Sequence, residues 1–101
     1  MLLKNRVAFV TGAGSGIGAA GANAMAREGA QVIVTDLDGR AADAVASTIR
    51  AQGYAAEAMQ VDVTDDFALV AAITSVAQKY NRLDVLHSHA GIQIEGKLEQ
   101  I

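Results

Sequence analysis

Short apolar runs alternate along this sequence with longer segments of helical periodicity, and the first three runs stop at Gly12, Asp36 and Asp62. The apolar runs are shorter than typical helices and therefore predict strands at 6–11, 31–35, 56–61 and 83–86. Apolar residues spaced by three and four predict helices at 15–28, from 38 or 39 to 53, and from 64 or 65 to 80. This alternation predicts an α/β fold with a parallel sheet and right-handed crossovers.

The helical segments carry recognisable start and stop signals. Gly29 is placed as a C-terminal cap of the first helix, and Gly53 stops the second. Thr64 or Asp65 stands where the third helix needs its N-cap. The predicted apolar face of that third helix consists of Phe67, Val70, Ile73, Ala77 and Tyr80.

Composition excludes several classes of protein. With 51% hydrophobic and 19% charged residues the chain is globular in character, and its length suits one domain. A net charge of −3 gives no attraction to nucleic acid or to an anionic membrane surface. No apolar run approaches the roughly 20 residues that span a bilayer, and no secretory signal pattern is present. Because cysteine is absent, disulfides are excluded, and we expect a cytoplasmic protein.

A glycine-rich turn, Thr-Gly-Ala-Gly-Ser-Gly-Ile-Gly at 11–18, follows the first strand directly. Backbone N–H groups in such a turn, together with the start of the next helix, favour the pyrophosphate of a dinucleotide. The generic G-x-G-x-x-G spacing is a weak signal here, because the two versions that fit it begin beyond the strand end. The alternative is a glycine-rich turn that binds nothing.

Asp36 ends the second strand about 20 residues beyond the turn. A carboxylate at this place accepts hydrogen bonds from both hydroxyls of an adenine ribose and repels a 2′-phosphate. Ser15 and Leu37 offer no compensating cation, although Arg40 lies close in sequence. We therefore expect NAD to be preferred over NADP. The alternative is that Asp36 only caps the next helix.

Taken together, these segments resemble the short-chain dehydrogenase/reductase family from about residue 4 to residue 91. The turn has that family's Thr-Gly-x-x-x-Gly-Ile-Gly spacing, and Asp62-Val63 resembles its adenine-contacting pair. The stretch Leu83-Asp84-Val85-Leu86 resembles the lead into the fourth strand, and Ala90-Gly91 the end of an Asn-Asn-Ala-Gly motif. Ser88 and His89 depart from the two asparagines, so we expect altered detail in cofactor binding rather than its loss.

The resemblance implies a Rossmann-like doubly wound parallel sheet, incomplete as β-α-β-α-β-α-β with strand order 3-2-1-4. It also implies a set of cofactor-binding residues: Gly12, Ser15, Gly16, Ile17, Gly18, Asp36, Leu37, Asp62, Val63, His89, Ala90 and Gly91. His87 and His89 share one side of a strand, but no third ligand accompanies them, so no metal site is predicted.

Catalytic residues are not predicted in this sequence. The family uses a tyrosine with a lysine four residues later, yet Tyr54 is followed at that spacing by Ala58 and Tyr80 by Asp84. Residues 1–101 are therefore expected to form the N-terminal cofactor-binding part of one Rossmann domain, without the catalytic half. Such a part leaves the fourth strand at an exposed edge, and we expect marginal stability when it is made alone.

The resemblance implies that the parent is an enzyme that transfers hydride between the cofactor and an alcohol or carbonyl substrate, acting as a homo-oligomer. Three alternatives stay open at this stage. The chain could be a non-catalytic nucleotide-binding or regulatory module, a truncated product without function, or a part of another Rossmann enzyme such as a methyltransferase. The turn spacing and Asp62-Val63 argue against the last.

Overall fold

The computed structural model describes residues 3–87, and side chains over 3–84. Seven elements follow one another: β1 (Val7–Val10), α1 (Gly16–Arg27), β2 (Gln31–Asp36), α2 (Gly39–Ala51), β3 (Ala56–Gln60), α3 (Asp66–Tyr80) and β4 (Val85–His87). The alternation of strands and helices expected from the sequence is confirmed. Element boundaries differ from the predicted ones by a few residues at most.

All strand pairs are parallel, and the four strands lie in the order β3-β2-β1-β4. Val10 lies opposite Val34, which in turn lies opposite Ala58, so the first three strands are aligned at their carboxyl ends. The predicted α/β class of Rossmann type is therefore confirmed. The alignment brings the segments that follow β1, β2 and β3 to one edge of the sheet, where ligands of such folds bind.

The two faces of the sheet bury different kinds of side chain. Ala8 and Val10 of β1 pack toward α1 and α2, in a cluster that is rich in alanine. Val7 and Phe9 point the other way and pack with three apolar residues of α3. Side chains that alternate along a strand thus serve two helical layers, which is why β1 and the middle of β2 are apolar at consecutive positions.

The predicted apolar face of α3 was wrong in part. Leu69, Ile73 and Val76 are the buried residues, whereas Phe67 is 89% exposed and Val70 is 53% exposed. Two overlapping stripes on this helix satisfy a spacing of three or four, and both contain Ile73. The sheet contacts the stripe formed by Leu69, Ile73 and Val76. This rotation of the helix places three branched side chains against Val7 and Phe9.

Asp84 joins the starts of β1 and β4, at the edge of the sheet opposite the glycine turn. Its carboxylate accepts a hydrogen bond of 2.8 Å from the Val7 N–H and forms ion pairs with Arg82 and Arg6. The hydrogen bonds from the Arg82 guanidinium lead the causes that lower the pKa of Asp84 to about 2. Asp84 therefore stays ionised in the folded chain well into acid.

Within residues 3–87, no helix is long and apolar enough to cross a membrane.

Candidate functional site

The turn after β1 depends on glycine for two separate reasons. Gly12 and Gly16 have φ angles of +61° and +60°, a left-handed conformation that residues with a β-carbon adopt at a cost. Gly18 is buried, and a β-carbon there would collide with the carbonyl oxygen of Gly12. The spacing of these three glycines therefore encodes a backbone that folds closely onto itself between β1 and α1.

The first backbone N–H groups of α1 donate no hydrogen bond to a capping side chain. Ser15 occupies the N-cap position, but its side chain makes no capping hydrogen bond, and the first turn contains no acidic residue. The Ala19 N–H is bonded to the Ser15 carbonyl at 3.3 Å, so the amides of 16–18 precede the helical ladder. Ser15, Gly16 and Ile17 are exposed. This helix end can therefore present its N–H groups and its positive dipole end to an anion.

Hydrogen bonds tie the glycine turn to the end of β2. The Ala13 N–H donates to the Thr35 carbonyl at 2.9 Å, and the Gly14 N–H donates to Oδ2 of Asp36 at 2.9 Å. The buried hydroxyl of Thr35 donates back to the Val10 carbonyl at 2.7 Å. The turn and the end of β2 thus form a single connected unit.

Asp36 does not cap α2, so that alternative was wrong. The N-cap is Asp38, whose carboxylate accepts hydrogen bonds from the N–H groups of Arg40 and Ala41. Oδ1 of Asp36 instead accepts the Asp38 N–H at 3.0 Å. The Asp36 carboxylate is therefore half-buried and held by backbone on both oxygens, with lone pairs left for a ligand.

Asp62 and Val63 lie beside this unit, since the Val61 N–H donates to the Asp36 carbonyl at 3.0 Å. The exposed Asp62 carboxylate accepts both the hydroxyl and the N–H of Thr64, at 2.6 and 2.9 Å. These two bonds, the hydroxyl first, lower the pKa of Asp62. Val63 is half-buried and packs toward the α3 side. One oxygen of Asp62 is thus engaged locally, and the other faces no hydrogen-bond donor among the described residues.

Two large apolar side chains stand exposed at this edge: Ile17 is 76% exposed and Leu37 is 64% exposed. The Leu37 backbone is fixed by a 3.0 Å hydrogen bond from the Gln60 side chain. An open depression begins next to Leu37; it is lined by Leu37, Asp38, Gly39, Arg40, Asp43 and Gln60. Exposed apolar groups beside a turn with uncapped backbone N–H groups are suited to contact the flat rings of a ligand.

A family model described as short chain dehydrogenase matches residues 6–101. The chain belongs to that family.

Three comparisons give the degree of similarity. An uncharacterized oxidoreductase of Bacillus subtilis is 40% identical over 98 residues, which are 97% of this chain and 38% of the relative. A hydroxysteroid dehydrogenase structure from Escherichia coli has a TM-score of 0.84 and 36% identity, covering 89% of this chain and 38% of that one. A metagenomic short-chain oxidoreductase solved with NADP has a TM-score of 0.82 and 40% identity, covering 85% and 39%. The chain thus spans about two fifths of the length of the proteins it matches.

Nine of the predicted site residues lie at one edge of the sheet: Gly12, Ser15, Gly16, Ile17, Gly18, Asp36, Leu37, Asp62 and Val63. His89, Ala90 and Gly91, like Ser88, lie outside the described residues. Among residues 3–87, no group of three metal-ligating side chains occurs. Sequence reasoning missed Gly14 and Thr35, and only their long-range hydrogen bonds reveal them.

Neither tyrosine lies in this site. The Tyr80 hydroxyl donates to Glu57 at 2.9 Å, beside the Lys79–Glu57 ion pair of 2.8 Å. Burial, followed by the bond to Glu57, raises the pKa of Tyr80, whereas a tyrosine base needs a lowered pKa. Tyr54 packs against the alanine-rich cluster under α2. Both side chains are thus engaged in packing or hydrogen bonds within the fold.

Proposed function

We propose that this chain holds a nicotinamide dinucleotide, with NAD preferred over NADP, at the carboxyl edge of β1, β2 and β3. The observation that carries the proposal is the unit formed by the glycine turn and Asp36. An uncapped helix start lies at one end of that unit, and a carboxylate held by two amides lies at the other.

Each end of this unit suits a different part of the cofactor. The amides of 16–18 and the α1 dipole would hold the pyrophosphate, since Ser15 contributes no competing charge. The remaining lone pairs of Asp36 would accept the two hydroxyls of the adenine ribose. Leu37 and Val63 would flank the adenine ring, and Asp62 would accept a hydrogen bond from the adenine amino group. Ile17 would contact the cofactor near its pyrophosphate. His89, Ala90 and Gly91 remain predicted contacts on the fourth strand.

The preference for NAD follows from charge. A 2′-phosphate would approach the ionised Asp36, whose oxygens are already fixed by the N–H groups of Gly14 and Asp38. Arg40 is exposed at the depression beside Asp36 and is the nearest candidate to offset this repulsion. Its backbone belongs to the first turn of α2, and its N–H donates to the Asp38 carboxylate.

The parent activity we propose is hydride transfer between nicotinamide and an alcohol or carbonyl carbon, with the cofactor supplying the hydride chemistry when bound. The role of residues 3–87 is to bind and orient it. The sequence contains no Tyr-x-x-x-Lys pattern, so the proton-transfer residues of the family would come from outside these 101 residues. Residues 1–101 would then be the cofactor-binding part of one Rossmann domain. In the same proposal, the parent enzyme acts on a small alcohol or carbonyl compound and assembles as a homo-oligomer.

Calorimetric titration of the chain with NAD and with NADP tests the proposal. We expect NAD to bind and NADP to bind more weakly, and Asp36→Ala to lower NAD affinity by about tenfold because charge-assisted hydrogen bonds are lost. Asp43→Ala is the matched control, since Asp43 is an exposed acid of the same depression and makes no hydrogen bond to the turn. A folded chain that binds neither dinucleotide would contradict the proposal.

A further inference from the structure

Gly14 occupies a place in the turn that the family spacing leaves variable, and its own backbone does not require glycine. Its φ is outside the left-handed region in which Gly12 and Gly16 lie. What it lacks is room: a β-carbon at Gly14 would lie 2.8 Å from Oδ2 of Asp36 and 2.7 Å from the β-carbon of Ala41. Both distances are shorter than real β-carbon contacts. Gly14 is therefore required by its neighbours and not by its conformation.

We propose that Gly14 is a specificity-determining residue: its N–H and its missing side chain together hold the Asp36 carboxylate in the position that discriminates NAD from NADP. The inference rests on the proposed function, because it assigns a role to Gly14 only if Asp36 faces the ribose. Gly14 acts through Asp36 and is a positioning residue.

Hydrogen-bond accounting supports this role. The Gly14 N–H takes one lone pair of Oδ2 at 2.9 Å, and the Asp38 N–H takes one of Oδ1 at 3.0 Å. A carboxylate has about four lone-pair sites, so two remain for two ribose hydroxyls. With an amide on each oxygen, the carboxylate cannot rotate without breaking a bond. Asp36 therefore presents its charge in one orientation. Rotation of the carboxylate cannot reduce its repulsion of a 2′-phosphate.

Adding a β-carbon at position 14 would bring it too close to two neighbours at once. On one side stands Ala41, part of a helix whose next residue, Ala42, is fully buried. On the other side stands the Asp36 carboxylate, which moves by rotation of a single side chain. The contact with Asp36 is relieved most cheaply by rotation of its carboxylate, whereas the contact with Ala41 needs a small shift of the turn or of the helix. Asp36 then loses its fixed orientation, while its charge and its sequence position remain.

The experiment compares the ratio of the NADP and NAD dissociation constants, measured by calorimetry, across a set of variants. We expect Gly14→Ala to lower this ratio by about tenfold, toward the value of Asp36→Ala, since a released carboxylate both binds ribose less well and moves away from phosphate. Gly14→Ala/Ala41→Gly relieves the contact with the helix and keeps the contact with Asp36, so its ratio should stay low. Gly53→Ala is the control: its φ of +91° makes alanine strained, but no atom lies near its β-carbon. It should lower the melting temperature and leave the ratio unchanged.

Amide exchange gives a second measurement that does not depend on how well the position-14 variants fold. The Gly14 N–H should exchange slowly in the unsubstituted chain and quickly in Asp36→Ala. The neighbouring Ala13 N–H, which is bonded to the Thr35 carbonyl, should stay protected in both. An unprotected Gly14 N–H in the unsubstituted chain would overturn the inference.

The outcomes separate the inference from the proposed function. If Asp36→Ala changes the ratio and both position-14 variants leave it unchanged, the inference is overturned and the proposed function stands. If the unsubstituted chain binds no dinucleotide, or if Asp36→Ala leaves the ratio unchanged, the role of Asp36 is overturned together with the inference.

Discussion

The three helices of this chain begin in two different ways, although all three follow a strand at the same edge of the sheet. The carboxylate of Asp38 accepts two N–H groups at the start of α2, and that of Asp65 accepts the Ala68 N–H at 3.1 Å at the start of α3. The hydroxyl of Ser15 accepts none at the start of α1. The helix next to the glycine turn is thus the one whose first amides receive no side-chain cap.

This difference identifies which helix end is free for a ligand. First-turn amides need acceptors, and an aspartate cap supplies one together with a negative charge that matches the helix dipole. The same charge would oppose a pyrophosphate. A helix that binds an anion therefore gives up some intrinsic stability at its start, whereas α2 and α3 keep theirs.

Gly18→Ala should have the largest effect. The new β-carbon would collide with the Gly12 carbonyl, and the turn cannot open without separating β1 from α1. We expect a loss of about 3 kcal/mol in the free energy of unfolding, as for overpacked cores, and no measurable NAD binding. Urea denaturation and calorimetry check both expectations. Gly53→Ala, remote from the turn, should retain NAD binding; equal loss of binding in both variants would mean that Gly18 has no special role.

Ser15→Asp would give α1 the kind of start that α2 and α3 have. An aspartate N-cap should raise the free energy of unfolding by about 0.5–1 kcal/mol. Its charge should weaken NAD binding by at least about tenfold through repulsion of the pyrophosphate. Opposite signs for stability and affinity are the expected result. Affinity that stays unchanged would place the pyrophosphate elsewhere.

Asp65→Ala and Ser15→Ala form a matched pair. Loss of the Asp65 cap should cost about 1 kcal/mol of stability and leave NAD affinity unchanged, because the Asp65 carboxylate bonds to the start of α3 and not to the glycine turn. Ser15→Ala removes no capping bond and should change stability by less than about 0.5 kcal/mol. Thermal unfolding of both variants gives the comparison. A larger loss of stability for Ser15→Ala than for Asp65→Ala would contradict the conclusion that α1 lacks a side-chain cap.

Asp84→Asn should lower the free energy of unfolding only where the Asp84 carboxylate is charged, so its effect should depend on pH. The folded pKa of Asp84 is about 2, below its usual 3.8, so its ion pairs stabilise the chain above pH 4. That contribution is lost as the pH falls from about 4 toward 2. We expect Asp84→Asn to be less stable than the unsubstituted chain at neutral pH, and the difference to shrink steadily between pH 4 and pH 2, measured by urea unfolding across pH.

Asp43→Asn serves as the control for acid effects in general, since Asp43 is exposed and forms no ion pair among residues 3–87. Its stability should follow that of the unsubstituted chain at every pH. A gap between Asp84→Asn and the unsubstituted chain that does not shrink between pH 4 and pH 2 would show that the ion pairs of Asp84 are not its cause.

Local sequence was sufficient for the elements and for part of the site. Strand and helix periods, the glycine spacing and the carboxylate at the end of β2 are signals within a few residues, and each is set by backbone sterics or by side-chain periodicity. The sequence did not decide between two stripes on α3. Phe67 and Leu69 both belong to a stripe of correct spacing, and only the sheet selects Leu69.

The alternation of strands and helices, the glycine turn and the candidate acidic residues could therefore be predicted from local sequence alone. The tertiary structure decided which of those acids face the turn and which cap helices, because that depends on strand register. Asp36 and Asp38 are both aspartates and stand two residues apart. Asp36 accepts a hydrogen bond from Gly14, 22 residues earlier, whereas Asp38 accepts one from its own helix. Contacts between residues so distant in sequence are fixed by packing of the whole sheet, and no local pattern carries them.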